Sequence, residues 1–378
     1  MAVKRPSLTV GIEEEYQIID PETRELKSYI TQFMQGDHSV LRYLDLKPEL
    51  HQSTVEVGTK ACATIQEVRG ELIGLRCQVA DFARKQGACI AAAGTHPFST
   101  WQTQEITPDA RYHGIVEDMQ DLARQMLIFG MHVHVAIEDP ELVIDTMNTL
   151  RYFMPHVLAL STSSPLWEGR DTGLKSYRSA LFKRFPRTGL PVEFGSYGEY
   201  QNFIDVLVST RCVADASKIY WDLRPHHKYP TLEFRICDLC TNVDDALCCA
   251  AIFQALVLKH YMMRVDNISF RRYPLAMIEE NKWRAVRYGL GGKLIDFGRQ
   301  EELPMDLLLG ELLEFVDDAL DELGSRKEAE HAYTILKRGS SADRQLEVFG
   351  RTQDPKAVVD WLVQETTASC TVQPEGAA

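Results

Sequence analysis

From Leu8 to Ile18 the chain alternates: Leu8, Val10, Ile12, Tyr16 and Ile18 fall on one parity, and Glu13, Glu15 and Gln17 on the other. Successive side chains of a strand point to opposite sides, so the pattern predicts a strand with an apolar back and a charged front. Three further segments repeat it. Ser53 to Gly58 sets Thr54 and Glu56 against Val55 and Val57. Gly130 to Ile137 sets His132 and His134 against Met131, Val133 and Val135, and Thr231 to Cys237 sets Glu233 and Arg235 against Leu232, Phe234 and Ile236. Ala91 to Pro97 reads as a buried strand ending in a polar turn, with His96 more readily structural than functional. Together these strands predict an α+β fold: a mainly antiparallel sheet lining a charged cavity, with helices packed on its back.

The helical period appears between and after these runs. Ile65, Val68, Leu72, Leu75, Val79 and Phe82 are spaced for one face of a helix over 64–86, with Gly87 as its stop. Asp139 and Pro140 open a helix expected to reach about Ser161. Beyond Asn242 the pattern predicts helices over 243–264, 274–289, 304–323, 326–337, 342–349 and 355–364. Between these regions, about Ser163 to Gly198 reads as a long loop that would close as a lid.

With 378 residues the chain could hold two or three average domains, but strands near residues 10, 55, 90, 133 and 233 can share one sheet only within one unit. The expectation is a single domain over 8–368 and a disordered tail over 369–378. At 45% hydrophobic and 25% charged residues the composition indicates neither disorder nor a membrane protein. The longest apolar run, Ala246 to Leu258, is too short to cross a bilayer. The net charge of -13 opposes general nucleic-acid binding. No apolar stretch follows MAVKRPS, so a cytoplasmic protein is expected. The nine cysteines are scattered in apolar surroundings and read as reduced core residues; Cys237 and Cys240 form a CxxC without a second pair.

Charge then changes the picture. Glu13 and Glu15 on one face repel each other unless water solvates them or a cation lies between them, and their apolar flanks argue against full solvation. Glu56, Glu49 seven residues before it, Glu233 and the imidazole pair enlarge the set. Oxygen-rich ligands with one or two imidazoles suit Mg2+ or Mn2+ better than zinc. An arginine among them, Arg235, points to phosphoryl transfer, where a permanently charged fork neutralises charge on the moving phosphoryl group. Within the Ser163–Gly198 stretch, Lys175, Arg178 and Arg187 belong to a basic island expected over substrate and nucleotide. Arg178 is the first choice for a carboxylate or phosphate clamp and Arg187 the second.

GIEEEYQ, the Glu49 to Glu56 spacing, GMHVHV, STSSPLWEGRDTGLKSYRSALFKRFPRTGLP and TLEFRICD occur in one order over roughly residues 8 to 290. In these five motifs the chain resembles the short bacterial carboxylate-amine ligases of the glutamate-cysteine ligase type 2 family, which share a sheet with glutamine synthetase and the guanidino kinases. The resemblance implies an ATP-dependent, Mg2+- or Mn2+-requiring ligase that phosphorylates the γ-carboxylate of glutamate, or a similar carboxylate, and lets an amine attack the acyl phosphate. Weak glutamate-cysteine ligase activity fits that reading. By motif, Glu13, Glu15, Glu49, Glu56, His132 and Glu233 match metal-binding positions, Arg235 and Arg178 catalytic ones, and Arg187 and Lys175 fall to the nucleotide. A homodimer follows from the resemblance alone. His134, where longer relatives more often carry an amide, leaves the amine open. Two other readings stay open: a metal-dependent amide hydrolase using His132 and His134, and a non-catalytic amino-acid sensor on a ligase scaffold.

Overall fold

Alternation along the chain becomes one seven-stranded sheet in the computed structural model, which describes residues 4–31 and 46–370. Its strands are β1 (Val10–Ile19), β2 (Lys47–Pro48), β3 (Thr54–Gly58), β4 (Cys89–Ala91), β5 (Met131–Ala136), β6 (Leu223–Pro225) and β7 (Thr231–Phe234). Their order is β6-β7-β5-β1-β3-β2, with β4 also paired to β1, and every pairing is antiparallel.

The apolar parity forms the back of this sheet. Ile12, Tyr16, Ile18, Val133 and Phe234 are all buried there. Behind them runs the helix Val243–Val265, apolar nearly all round, whose Phe253 ring stacks on Phe234 with centroids 4.1 Å apart. Burying each such side chain contributes roughly 1.5–3 kcal/mol. This helix extends past the apolar run read from the sequence and is long and apolar enough to cross a membrane, but 78% of its most apolar window is buried inside the fold, as suits a core helix. Ile65–Lys85 lies on the same side, started by Thr64, whose hydroxyl accepts from the Glu67 N–H, and stopped before Gly87 in the left-handed region (φ +65°).

One acid breaks the alternation. Glu14 lies on the apolar parity and is fully buried beneath the sheet. Arg76, on the helix behind, donates Nε to Glu14 Oε2 at 2.9 Å and pairs with its other oxygen, while the Tyr16 hydroxyl also donates to this carboxylate. The remaining guanidinium protons go to the Thr241 carbonyl at 2.7 Å and the Cys240 carbonyl at 2.9 Å. A buried charge pair persists only with such complete hydrogen bonding.

Several expected elements differ. The helix expected from Asp139 to Ser161 is two, Pro140–Leu150 and Met154–Ser161, joined by a 3-10 turn at Arg151–Phe153. Pro155 has no N–H to continue the helical ladder, which explains the break. The 304–323 segment likewise divides into Met305–Phe315 and Asp317–Leu323. The Ser163–Gly198 stretch is not a free lid. It contains a short hairpin, Leu166–Trp167 with Arg170–Asp171, and a helix, Tyr177–Phe182, and its first residues are tied to the buried Asp238 carboxylate.

The cysteine expectation is corrected in one place. Cys77 and Cys370 form a disulfide with Cα atoms 5.2 Å apart, while Cys237, Cys240 and five others are free. A 3-10 turn at Ala368–Cys370 carries ordered chain into the stretch read as a tail, and residues 371–378 lie outside the described residues.

Candidate active site

Antiparallel pairing of period-two strands brings the charged parities into one row. Glu13 stands opposite His132, Gly11 opposite His134, and His134 opposite Glu233. Glu233 stands opposite Arg224, and on the other flank Glu15 stands opposite Glu56, itself opposite Lys47. Glu49 follows β2 and reaches the same flank, its carboxylate accepting from the Leu50 N–H at 3.1 Å. A cavity of about 580 Å3 opens over this row, with Glu13, Glu15, Glu49, Glu56 and Glu233 on its floor and Arg178, Arg224 and Arg235 at its edge.

Within the row are two clusters of three. Glu15, Glu49 and Glu56 offer oxygens that lie within 4.8 Å of one another. Burial pushes the pKa of Glu15 up to about 7, reinforced by Glu56 and opposed by Arg178. Burial also raises Glu49, with Glu15 adding repulsion, and raises Glu56 well above the ordinary carboxylate range, with Glu49 and Glu13 adding more. Like charges at this separation repel by roughly 3 kcal/mol per pair at an effective dielectric of about 20. A divalent cation with oxygen ligands relieves that repulsion, so this donor set fits Mg2+ or Mn2+.

Glu13, His134 and Glu233 form the second cluster, again within 4.8 Å of one another. Here counter-charges are built in. Burial opposes ionisation of Glu233, but Arg235 and Arg224 outweigh it and hold the group well below its ordinary pKa. Arg224 donates Nε to Glu233 Oε2 at 2.7 Å, and Arg235 Nη1 donates to Glu233 Oε1. Glu13 is likewise held low despite burial, by a hydrogen bond with His132 at 3.3 Å and by His134, whose Nε2 lies 3.6 Å away. His134 Nδ1 lies 3.1 Å from Thr231 Oγ1, which leaves Nε2 buried without a hydrogen-bond partner and near Glu13. An imidazole oriented by its other nitrogen suits metal ligation. His132 borders the open cavity, with Nδ1 3.3 Å from Arg235 Nη1, and burial with Arg235 lowers its pKa to about 4.

The structure therefore brings Glu13, Glu15, Glu49, Glu56, His132, Glu233, Arg235 and Arg178 together and leaves two expected residues outside. Lys175 is paired with Asp343 at 2.6 Å, and Arg187 donates Nε to the Lys218 carbonyl at 3.0 Å; neither lines the cavity. A basic loop residue has no periodicity to say where it points, which is why sequence alone grouped them with Arg178. Asn281 and Lys282 are structural too: Asn281 brackets Ile295, and Lys282 pairs with Asp222 at 2.5 Å. His96 Nε2 accompanies the Arg24 carbonyl at 2.9 Å and Nδ1 accepts from the Ser99 N–H at 2.8 Å, so it holds a turn. Sequence reasoning missed Arg224, although its place between Leu223 and Pro225, on the parity facing Glu233, carried the signal.

Arg178 is 4% exposed and, among the described residues, forms no ion pair; its Nε lacks a partner and Nη2 reaches only the Arg235 carbonyl, at 3.4 Å. The buried Glu15 and Asp238 carboxylates balance its charge without a direct ion pair, which leaves its donors for an anionic ligand.

A family model described as glutamate-cysteine ligase family 2 (GCS2) matches residues 9–369. The chain is 58% identical over 358 residues to a protein of Roseiflexus castenholzii, covering 95% of this chain and 94% of that one. It is 55% identical over 360 residues to a protein of Chloroflexus aurantiacus, covering 95% and 92%. Both relatives carry the provisional name glutamate-cysteine ligase 2. Among solved structures it is similar to the glutamate-cysteine ligase of Francisella tularensis in complex with AMP, with TM-score 0.70, 12% identity, and 99% and 91% of the two chains covered. A bifunctional glutathione synthetase of Pasteurella multocida matches with TM-score 0.70 at 16% identity, over 96% of this chain and 52% of that one. At these identities the likeness establishes a shared fold.

Proposed function

We propose, from the premise that the chain belongs to the glutamate-cysteine ligase family 2 and is an enzyme of the carboxylate-amine ligase type, that it couples ATP cleavage to formation of a γ-glutamyl amide through an acyl phosphate. The observation that carries this reading is the row itself, in which two clusters of acids face a cavity edged by buried arginines. In the first step a γ-carboxylate oxygen attacks the terminal phosphorus of ATP and ADP leaves. In the second an amine nitrogen attacks the acyl carbon, phosphate leaves, and the amine gives up a proton.

Glu15, Glu49 and Glu56, and separately Glu13, His134 and Glu233, are the residues that would hold divalent ions, with His132 beside them. Mg2+ or Mn2+ bound there supplies positive charge to the phosphate oxygens. Arg235 neutralises charge on the phosphoryl group in transit, and its place against Glu233 fixes its direction before substrate arrives. Arg224 holds Glu233 from the far side. Arg178 clamps the carboxylate or phosphate that enters. The test is ADP release with Mg2+ and glutamate across a panel of amines, in the native enzyme and in Glu13→Gln and Arg235→Ala. The expected outcome is amine-dependent ADP formation that both substitutions suppress; ADP formation indifferent to both would remove this site from the reaction.

A further inference from the structure

We propose that Asp238 is a positioning residue for Arg178, acting through Ser164 and Ser176, and that Gly130 is the opening through which the guanidinium reaches the cavity. Asp238 is fully buried and spends its whole carboxylate on the segment that carries Arg178. Oδ2 accepts from the Ser163 N–H at 3.0 Å and the Ser164 hydroxyl at 2.7 Å, and Oδ1 accepts from the Ser176 hydroxyl at 2.7 Å. Both hydroxyls are in turn oriented toward the arginine's helix. Ser164 Oγ accepts from the Arg178 N–H at 3.0 Å, and Ser176 Oγ caps the same helix by accepting from the Ser179 N–H at 3.3 Å. That helix, Tyr177–Phe182, has only six residues, too few to hold a direction by its own hydrogen bonds, so its orientation is borrowed from the carboxylate beneath.

Two glycines make room for the arrangement. A Cβ on Gly94 would stand 2.8 Å from Asp238 Cγ, and one on Gly130 would stand 2.4 Å from Arg178 Nη2 and 3.0 Å from Cζ. No side chain fits at either place unless the charged group moves. Gly130 has a second duty, since its N–H donates to Glu15 Oε2. One glycine thus joins the arginine to an acid of the Glu15, Glu49 and Glu56 cluster, and any displacement there is felt by both.

The inference rests on Arg178 acting as an anion clamp, as proposed above, and a double-mutant cycle separates the two ideas. KM for ATP and for glutamate, kcat and the melting temperature are measured for Asp238→Asn, Arg178→Ala and the double variant. Arg178→Ala is expected to raise KM for one of the two anions by about 10- to 100-fold, as loss of a charge-assisted contact of about 1.5–3 kcal/mol implies. Asp238→Asn is expected to raise the same KM, and to add nothing once Arg178 is gone. If Asp238→Asn costs the same factor in both backgrounds, it acts independently of Arg178 and the proposal falls. If Arg178→Ala changes neither KM nor kcat, the clamp itself is wrong. Gly130→Ala supplies a variant that leaves Asp238 and its serines intact. It is expected to reproduce the KM rise, and a native KM in a folded Gly130→Ala enzyme would overturn the proposal.

Discussion

The two acid clusters share a floor and differ in how their charge is balanced. Glu13 and Glu233 are surrounded by Arg224, Arg235 and two imidazoles and stay ionised. Glu15, Glu49 and Glu56 face chiefly one another; Lys47 Nζ lies 3.4 Å from Glu56, Arg178 acts on Glu15 and Arg111 on Glu49, but burial and mutual repulsion outweigh them and push all three toward the protonated state. In the first, protein groups set the charge before any ligand arrives. In the second, the protein's own cations fall short of balancing the acids, and a bound divalent ion would complete the balance. The same residue type performs both roles, and the neighbours supplied by β6 and β7 make the difference.

The most disruptive way to break this contrast is Arg235→Ala, which strips the compensated cluster of one counter-charge and the cavity of its phosphate-facing group. ADP formation should fall by about 100- to 1000-fold, equivalent to roughly 3–4 kcal/mol of transition-state stabilisation. Next is Glu56→Gln, which removes one charge from the three-glutamate cluster. Mg2+ at 100 times its Kd should stabilise the native enzyme by about 2.7 kcal/mol, read as a rise in melting temperature. Glu56→Gln should lose most of that rise, and an unchanged Mg2+ response would place the ion elsewhere.

A gentler probe is pH in the presence of a chelator. Glu15 has an ordinary pKa of 4.5 and a folded value of about 7, so between these values the folded chain holds a proton that the unfolded chain has released. Its share of stability is therefore fully present below 4.5 and shrinks as the pH rises toward 7. The native protein should lose melting temperature over this window relative to Glu15→Gln, and Mg2+ should flatten the difference. A native curve parallel to that of Glu15→Gln would sink the assignment. The smallest effect is reserved for Lys175→Ala, which touches neither cluster and loses only a half-buried ion pair with Asp343, and should change kcat/KM by less than about twofold.

Much of this was legible because strands repeat every two residues. Parity alone grouped Glu13 with Glu15, His132 with His134 and Glu233 with Arg235, and a sheet can only align such groups or scatter them together. The inward place of Glu14 has its reason in Arg76, on a helix that no pattern in the strand points to. Lys175 and Arg187 were opaque because their partners, Asp343 and the Lys218 carbonyl, lie in segments whose proximity no local pattern encodes. The Cys77–Cys370 bond joins distant positions in the same way.

The inward-facing acid carries a further consequence. Three glutamates in succession give β1 three nearly equivalent ways to thread past its neighbours, and the guanidinium of Arg76 can satisfy only one acid on the buried face. A chain misthreaded by a single position would set Glu13 or Glu15 before Arg76, but would bury the other acid without a partner and turn Ile12 and Tyr16 toward the cavity. The rear of the sheet thus proofreads the front, rejecting every alignment in which the working acids do not face outward.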